Sequence, residues 1–230
     1  MFRALIRKDL QISRLPLLLA SCLLVVSPLA ITILMSFDSV LMKQTMERRL
    51  FALLIGSGFA IHVTAQLSIA ILSANLVAVE RVDRSAEFLA YLPPNRDMVL
   101  RSKATVLGAT AFILLLVPLA LTGSALCWSE GTGPAPSIEM LHIPLTISAI
   151  GVCAAGIGWW ASCTLSSNAV AILLALLAPA LPSISVLLIC MAIGIEDAAH
   201  AAALLAAACL ATGTAGFVLG TRHYLRRNEP

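Results

Sequence analysis

Five stretches of this chain carry no Asp, Glu, Lys or Arg: residues 15–37, 50–79, 104–129, 140–195 and 198–221. A bilayer core about 30 Å thick is crossed by about 20 apolar residues of helix, so each stretch is long enough to span it. The run 140–195 is long enough for two crossings, and Ser166-Ser167-Asn168 is its natural turn. A soluble core has no need of such runs. Composition agrees: 12% charged residues and a mean hydropathy of +0.96 lie far from a soluble domain, where about a quarter of residues are charged.

The expectation is an all-α integral membrane protein, a single polytopic unit over 1–230, with spans at about 15–37, 51–79, 104–127, 142–165, 169–192 and 201–221. No internal repeat or linker divides it. The first span, apolar from Leu15 to Phe37, exceeds the roughly 7–15 residues of a signal-peptide core, so a retained helix is expected. Basic residues set the orientation. With the N-terminus inside, segments 1–14, 80–103, 166–168 and 222–230 hold twelve Lys and Arg, against Lys43, Arg48 and Arg49 outside. The net charge of +3 is therefore a topology signal and gives no reason to expect nucleic acid as a partner.

Residues 2–14 read as a basic amphipathic helix. Phe2, Leu5, Ile6, Leu10 and Ile12 form one face, and Arg3, Arg7, Gln11 and Arg14 the other. Such a helix belongs in the headgroup layer, with its arginines towards anionic lipid; Pro16 permits a bend into span 1. Span 2 is the most polar. His62, Gln66 and Ser73 share one helical face, and polar groups in hydrocarbon must face protein or water. Two readings stand: the face lines a translocation path or subunit seam, or it bonds to a neighbouring helix of the same chain. In span 4, Gly151, Ala154, Ala155 and Gly158 allow close helix approach, as does the Gly216/Gly220 pair in span 6. Trp159 and Trp160 suit an interfacial belt. Pro179 and Pro182 interrupt span 5, so it either kinks or re-enters at 184–193. The six cysteines read as small apolar packers, without metal-ligand spacing.

No phosphate loop, HExxH or GxSxG motif occurs, and no intramembrane carboxylate pair. The chain is not expected to be an enzyme or to hold a cofactor. No charged residue lies inside the apolar spans to couple an ion, which argues against secondary transport. Energy for any transport has to enter from elsewhere.

The segment Glu80–Lys103, ERVDRSAEFLAYLPPNRDMVLRSK, holds nine of the 27 charged residues. Ser85 can cap a short helix that Pro93-Pro94 ends, and Asn95 a second that runs through Asp97 and Lys103 into span 3. On the residues alone, a helical elbow offering Phe88, Leu89, Tyr91 and Leu92 to a groove stands level with a solvated loop.

The layout resembles the permease subunit of ABC-2 type exporters, in which an amphipathic N-terminal helix precedes six spans and a charged cytoplasmic elbow joins the second to the third. The matching positions are Glu80-Arg81, Glu87, Leu89, Leu92-Pro93, Arg96 and Lys103. Arg84-Ser85, where relatives often carry Gly, and the doubled proline depart from that pattern. The resemblance implies a bacterial inner-membrane protein that pairs with a second permease subunit and docks on a separate cytoplasmic ATPase, where ATP is bound. The elbow would be the coupling helix, with Phe88, Leu89 and Leu92 as groove contacts and Glu87 and Arg96 as orienting charges. The same layout is similar to the haem-handling permease of cytochrome c maturation, and a non-transporting scaffold or sensor would use the elbow in the same way.

Overall fold

A computed structural model describes residues 2–36, 46–82, 96–129, 142–195 and 197–226. Its helices are α1 (Phe2–Ile12), α2 (Arg14–Ser36), α3 (Met46–Val82), α4 (Arg96–Ser129), α5 (His142–Thr164), α6 (Asn168–Leu177), α7 (Ala180–Ile193) and α8 (Ala198–Arg226). Among the described residues six stretches are long and apolar enough to cross a membrane, with α6 and α7 together forming the fifth. The protein is a multi-span helical membrane protein. One end of the bundle gathers α1, the start of α4 and the end of α8; its exposed arginines include Arg7, Arg101 and Arg226, and we call it the basic end.

α3 and α5 form the spine. α3 packs against α2, α4, α5 and α6, and α5 against α3, α6 and α8. In lipid, apolar side chains gain nothing by leaving hydrocarbon for a neighbouring helix, so close packing and hydrogen bonds hold such a bundle. The α5–α8 seam shows this directly. A Cβ added to Gly156 would lie 1.9 Å from the Gly213 carbonyl oxygen, and one on Gly213 would lie 2.4 Å from that of Val152. Gly216 meets the Gly156 backbone, and Gly220 that of Trp160. The Gly216/Gly220 pair therefore packs within the chain. Gly156 and Gly213, which the spacing reading did not single out, make the tightest approach.

Trp159 corrects a second expectation. It is fully buried, its ring stacks on Phe217 with centroids 5.0 Å apart, and its Nε1–H donates to Thr221 Oγ1 at 3.2 Å. It is a core residue of the α5–α8 pair and does not stand in an interfacial belt. An indole buried in this way needs the partner that Thr221 supplies.

The fifth span kinks. Ala178 (φ −52, ψ −42) and Pro179 (φ −66, ψ −18) both keep right-handed helical backbone, so the chain bends without reversing. The two prolines deprive Ala175 and Ala178 of their helical amide donors. Hydrogen bonding resumes from Ser183 N–H to the Pro179 carbonyl at 3.1 Å. The bend lets α6 lie on α3 and α5 while α7 runs against α8. Beyond α7, Gly194 closes the helix at φ 75, a left-handed cap that favours glycine.

α8 starts on a capped turn. Asp197 accepts from Ala199 N–H at 3.0 Å and meets the His200 ring. The Ala199 amide, and after it His200, hold the Asp197 carboxyl below its usual range. A depressed carboxylate contributes stability above its ordinary pKa of about 3.9 and loses it as pH falls through the lower folded value. Amide protection at Ala199–Ala201 should therefore fall on acidification through that window in the parent, and Asp197→Ala should show the frayed helix start at every pH. For the glycine seam, Gly213→Leu should lower stability by about 1–3 kcal/mol or more through overpacking. Gly108→Ala, where a Cβ meets nothing within 4 Å, should leave the melting temperature in detergent unchanged or slightly raised.

Candidate functional site at the basic end of the bundle

The segment that carries most of the expected contacts falls largely outside the described residues. Glu87, Phe88, Leu89, Leu92 and Pro93 lie there, with the whole of 85–92, the stretch expected to form a short helix. Glu80 and Arg81 belong to the last turn of α3, and their side chains are likewise outside the description. The helices that flank this segment are described. α3 enters it, and α4 leaves it at Arg96 with Asp97 in the first turn, as the capping pattern at Asn95 leads one to expect.

On α4, Arg96 is exposed, whereas Lys103 is 1% exposed and points into the bundle. Its Nζ donates to the Leu76 carbonyl of α3 at 2.7 Å and to Asp9 Oδ1 of α1 at 3.2 Å. The Ser102 hydroxyl meets the other carboxylate oxygen of Asp9 and lies 2.9 Å from the Val99 carbonyl. One ammonium thus ties together α1, α3 and α4. Burying a charge is costly unless it is paired and hydrogen-bonded, and here each partner has both.

Asp9 is the residue that sequence reasoning missed. It is 2% exposed and sits with Leu5 and Ser13, at i−4 and i+4, on the buried face of the N-terminal segment. Phe2 and Leu10, expected on the apolar face, are exposed at 39% and 43%. So α1 does not simply float on lipid: it packs along α4, gripped through a carboxylate. The available signal was the lone acid of an otherwise basic helix, placed one turn from Leu5. The break after α1 is a single residue, because Ser13 N–H still bonds the Asp9 carbonyl at 2.9 Å and Leu17 N–H that of Ser13 at 3.0 Å. Pro16 has no amide to offer Ile12, which accounts for the interruption.

More polar groups gather beside this hub. Ser162 Oγ of α5 accepts from the Val77 and Ala78 amides of α3 at 3.0 and 3.2 Å. Asn168, at the start of α6, donates to Asn75, whose own amide donates to the Ile71 carbonyl at 3.0 Å. The final turns of α3 are held by side chains from three neighbours.

His62, Gln66 and Ser73 continue the same face of α3 towards the other end. His62 is 2% exposed; its Nε2 lies 3.1 Å from the Pro144 carbonyl and 3.0 Å from Ser148 Oγ. A carbonyl can only accept, so Nε2 carries the proton. Gln66 fills the space where Gly151 would carry a Cβ, its Oε1 only 1.3 Å from that position. Ser73 Oγ, 2.4 Å from a Cβ built on Gly158, bonds back to the Ala70 carbonyl at 2.8 Å. All three side chains face α5 of the same chain.

Among the described residues no group of His, Cys, Asp and Glu is arranged to hold a metal ion. Comparison of the chain with protein-family models, curated proteins and solved structures finds no match.

The hub separates two neighbouring cations by their effect on stability. Lys103→Met leaves the Asp9 charge buried without its partner and should cost about 3–5 kcal/mol. Arg101→Met, at an exposed position, should stay within about 0.5 kcal/mol. Thermal unfolding of the two purified variants in one detergent makes the comparison.

Proposed function

We propose that this chain is the membrane subunit of an ATP-driven exporter of the ABC-2 type, coupled through the 80–103 elbow to a separate cytoplasmic ATPase and paired with a second permease subunit. The observation that carries the reading is the anchoring of the elbow's legs. The α3 carbonyl at Leu76 and the α4 ammonium of Lys103 are bonded at 2.7 Å, just inside the point where the chain leaves the bundle. A load applied to residues 83–95 is therefore delivered to packed spans and is not lost in a loose loop. A connection that only satisfied the charge asymmetry of the membrane would need no such footing.

In this reading Phe88, Leu89 and Leu92 enter the ATPase groove, with Glu87 and Arg96 orienting them, and Glu80 and Arg81 close the approach from α3. Lys103 serves as an internal post and not as a contact for the partner. The chain supplies the path and the lever; nucleotide chemistry belongs to the ATPase. The inner membrane of a bacterium is the matching location.

Purification from native membranes tests the proposal. A cytoplasmic ATPase should accompany the full-length chain, and deletion of 85–92 should remove it. Phe88→Ala should reduce its recovery at least about tenfold, the scale of an aromatic hot spot in an interface. A chain produced at normal levels that retains its ATPase after the deletion would remove the elbow from the coupling role; one that never carries an ATPase points to a non-transporting scaffold.

A further inference from the structure

We infer that Asp9 is a positioning residue of the coupling apparatus, clamping α1 to Lys103 so that the N-terminal helix moves with the elbow. The inference rests on the coupling role proposed above for the elbow. Its basis is connectivity. Lys103 stands two turns inside α4 from Arg96, and its ammonium bonds both Leu76 of α3 and Asp9 of α1. Ser102 adds a second bond from α4 to the same carboxylate. Asp9 thus holds α4 at two adjacent residues. The three helices that meet here are the two legs of the elbow and α1.

From α1 the load has a route onward. The hydrogen bonds from Ser13 to Asp9 and from Leu17 to Ser13 carry helical backbone from α1 into α2. A displacement of the elbow would therefore reach the first span through α1, as well as the second and third spans directly. Apolar contact alone would not give this coupling a fixed direction, since helices in lipid slide past one another with little cost in solvation. A buried pair with defined hydrogen-bond geometry fixes register, the best attested use of buried polar groups.

Hydrogen–deuterium exchange on the permease in phosphatidylethanolamine–phosphatidylglycerol nanodiscs tests the clamp without any partner. Asp9→Asn, which keeps the shape and removes the charge, should speed exchange of amides 2–12 by more than about tenfold, given what breaking a buried pair costs, while amides 142–164 stay protected. Asp9→Glu should restore protection at least in part. The double variant Asp9→Leu with Lys103→Met leaves no buried charge unpaired and should melt close to the parent, yet still exchange faster at 2–12. Parental protection of α1 in both Asp9→Asn and the double variant would overturn the clamp.

The second arm uses the complex with its co-purified ATPase and a non-hydrolysable ATP analogue. In the parent, amides 2–12 and 96–103 should respond together; in Asp9→Asn, only 96–103 should respond. A merely structural role for Asp9 would not split these responses. A parent in which 96–103 respond while 2–12 stay silent would overturn the inference, as would an equal α1 response in Asp9→Asn. If no ATPase is retained, the function proposed above falls, and the nanodisc arm still decides whether Asp9 holds α1.

Discussion

Within a bilayer, burying a leucine against another helix removes it from surroundings that already suit it, so the driving force that packs soluble proteins is absent. What remains is close approach of backbones and the cost of leaving a polar group unpaired. The structure is built from these two. α5 meets α8 across four glycines, with contacts no side chain would permit, and meets α3 along a stripe of polar groups that bond across the interface. The long exposed apolar surfaces of α2 and α7, such as Leu34, Leu181 and Met191, are the ordinary face of a protein whose solvent is hydrocarbon.

The same constraint explains which parts of the fold were legible in the sequence. Span number follows from a one-dimensional property, uncharged length, and the described residues hold six apolar stretches at the expected places. The interruption of span 5 was visible in Pro179 and Pro182, but whether it bends or reverses depends on backbone angles that packing decides. The glycine stripes were half visible. Gly216 and Gly220 stood out because they form a motif, whereas Gly156 and Gly213 matter because they lie opposite one another, which spacing along a single helix does not reveal.

The candidate site was legible to a smaller degree, for a related reason. Lys103 was noticed as part of a pattern, and a cation at the start of a span reads naturally as solvent-facing. Its burial depends on Asp9, more than ninety residues away in sequence, and on the Leu76 carbonyl, a group that every residue possesses. Neither partner has a local signature. Trp159 was misread likewise: position suggested a belt, and Thr221 and Phe217 on another helix make it core.

The two small-residue faces of α5 are both spent inside the chain. Gly151 and Gly158 receive side chains of α3, and Gly156 receives the backbone of α8. Neither stripe is left to draw a second copy close. The small-residue stripe that does stay open lies on α8, where Ala203, Ala207, Ala211 and Ala215 are exposed at four-residue spacing, a surface on which another helix can come close.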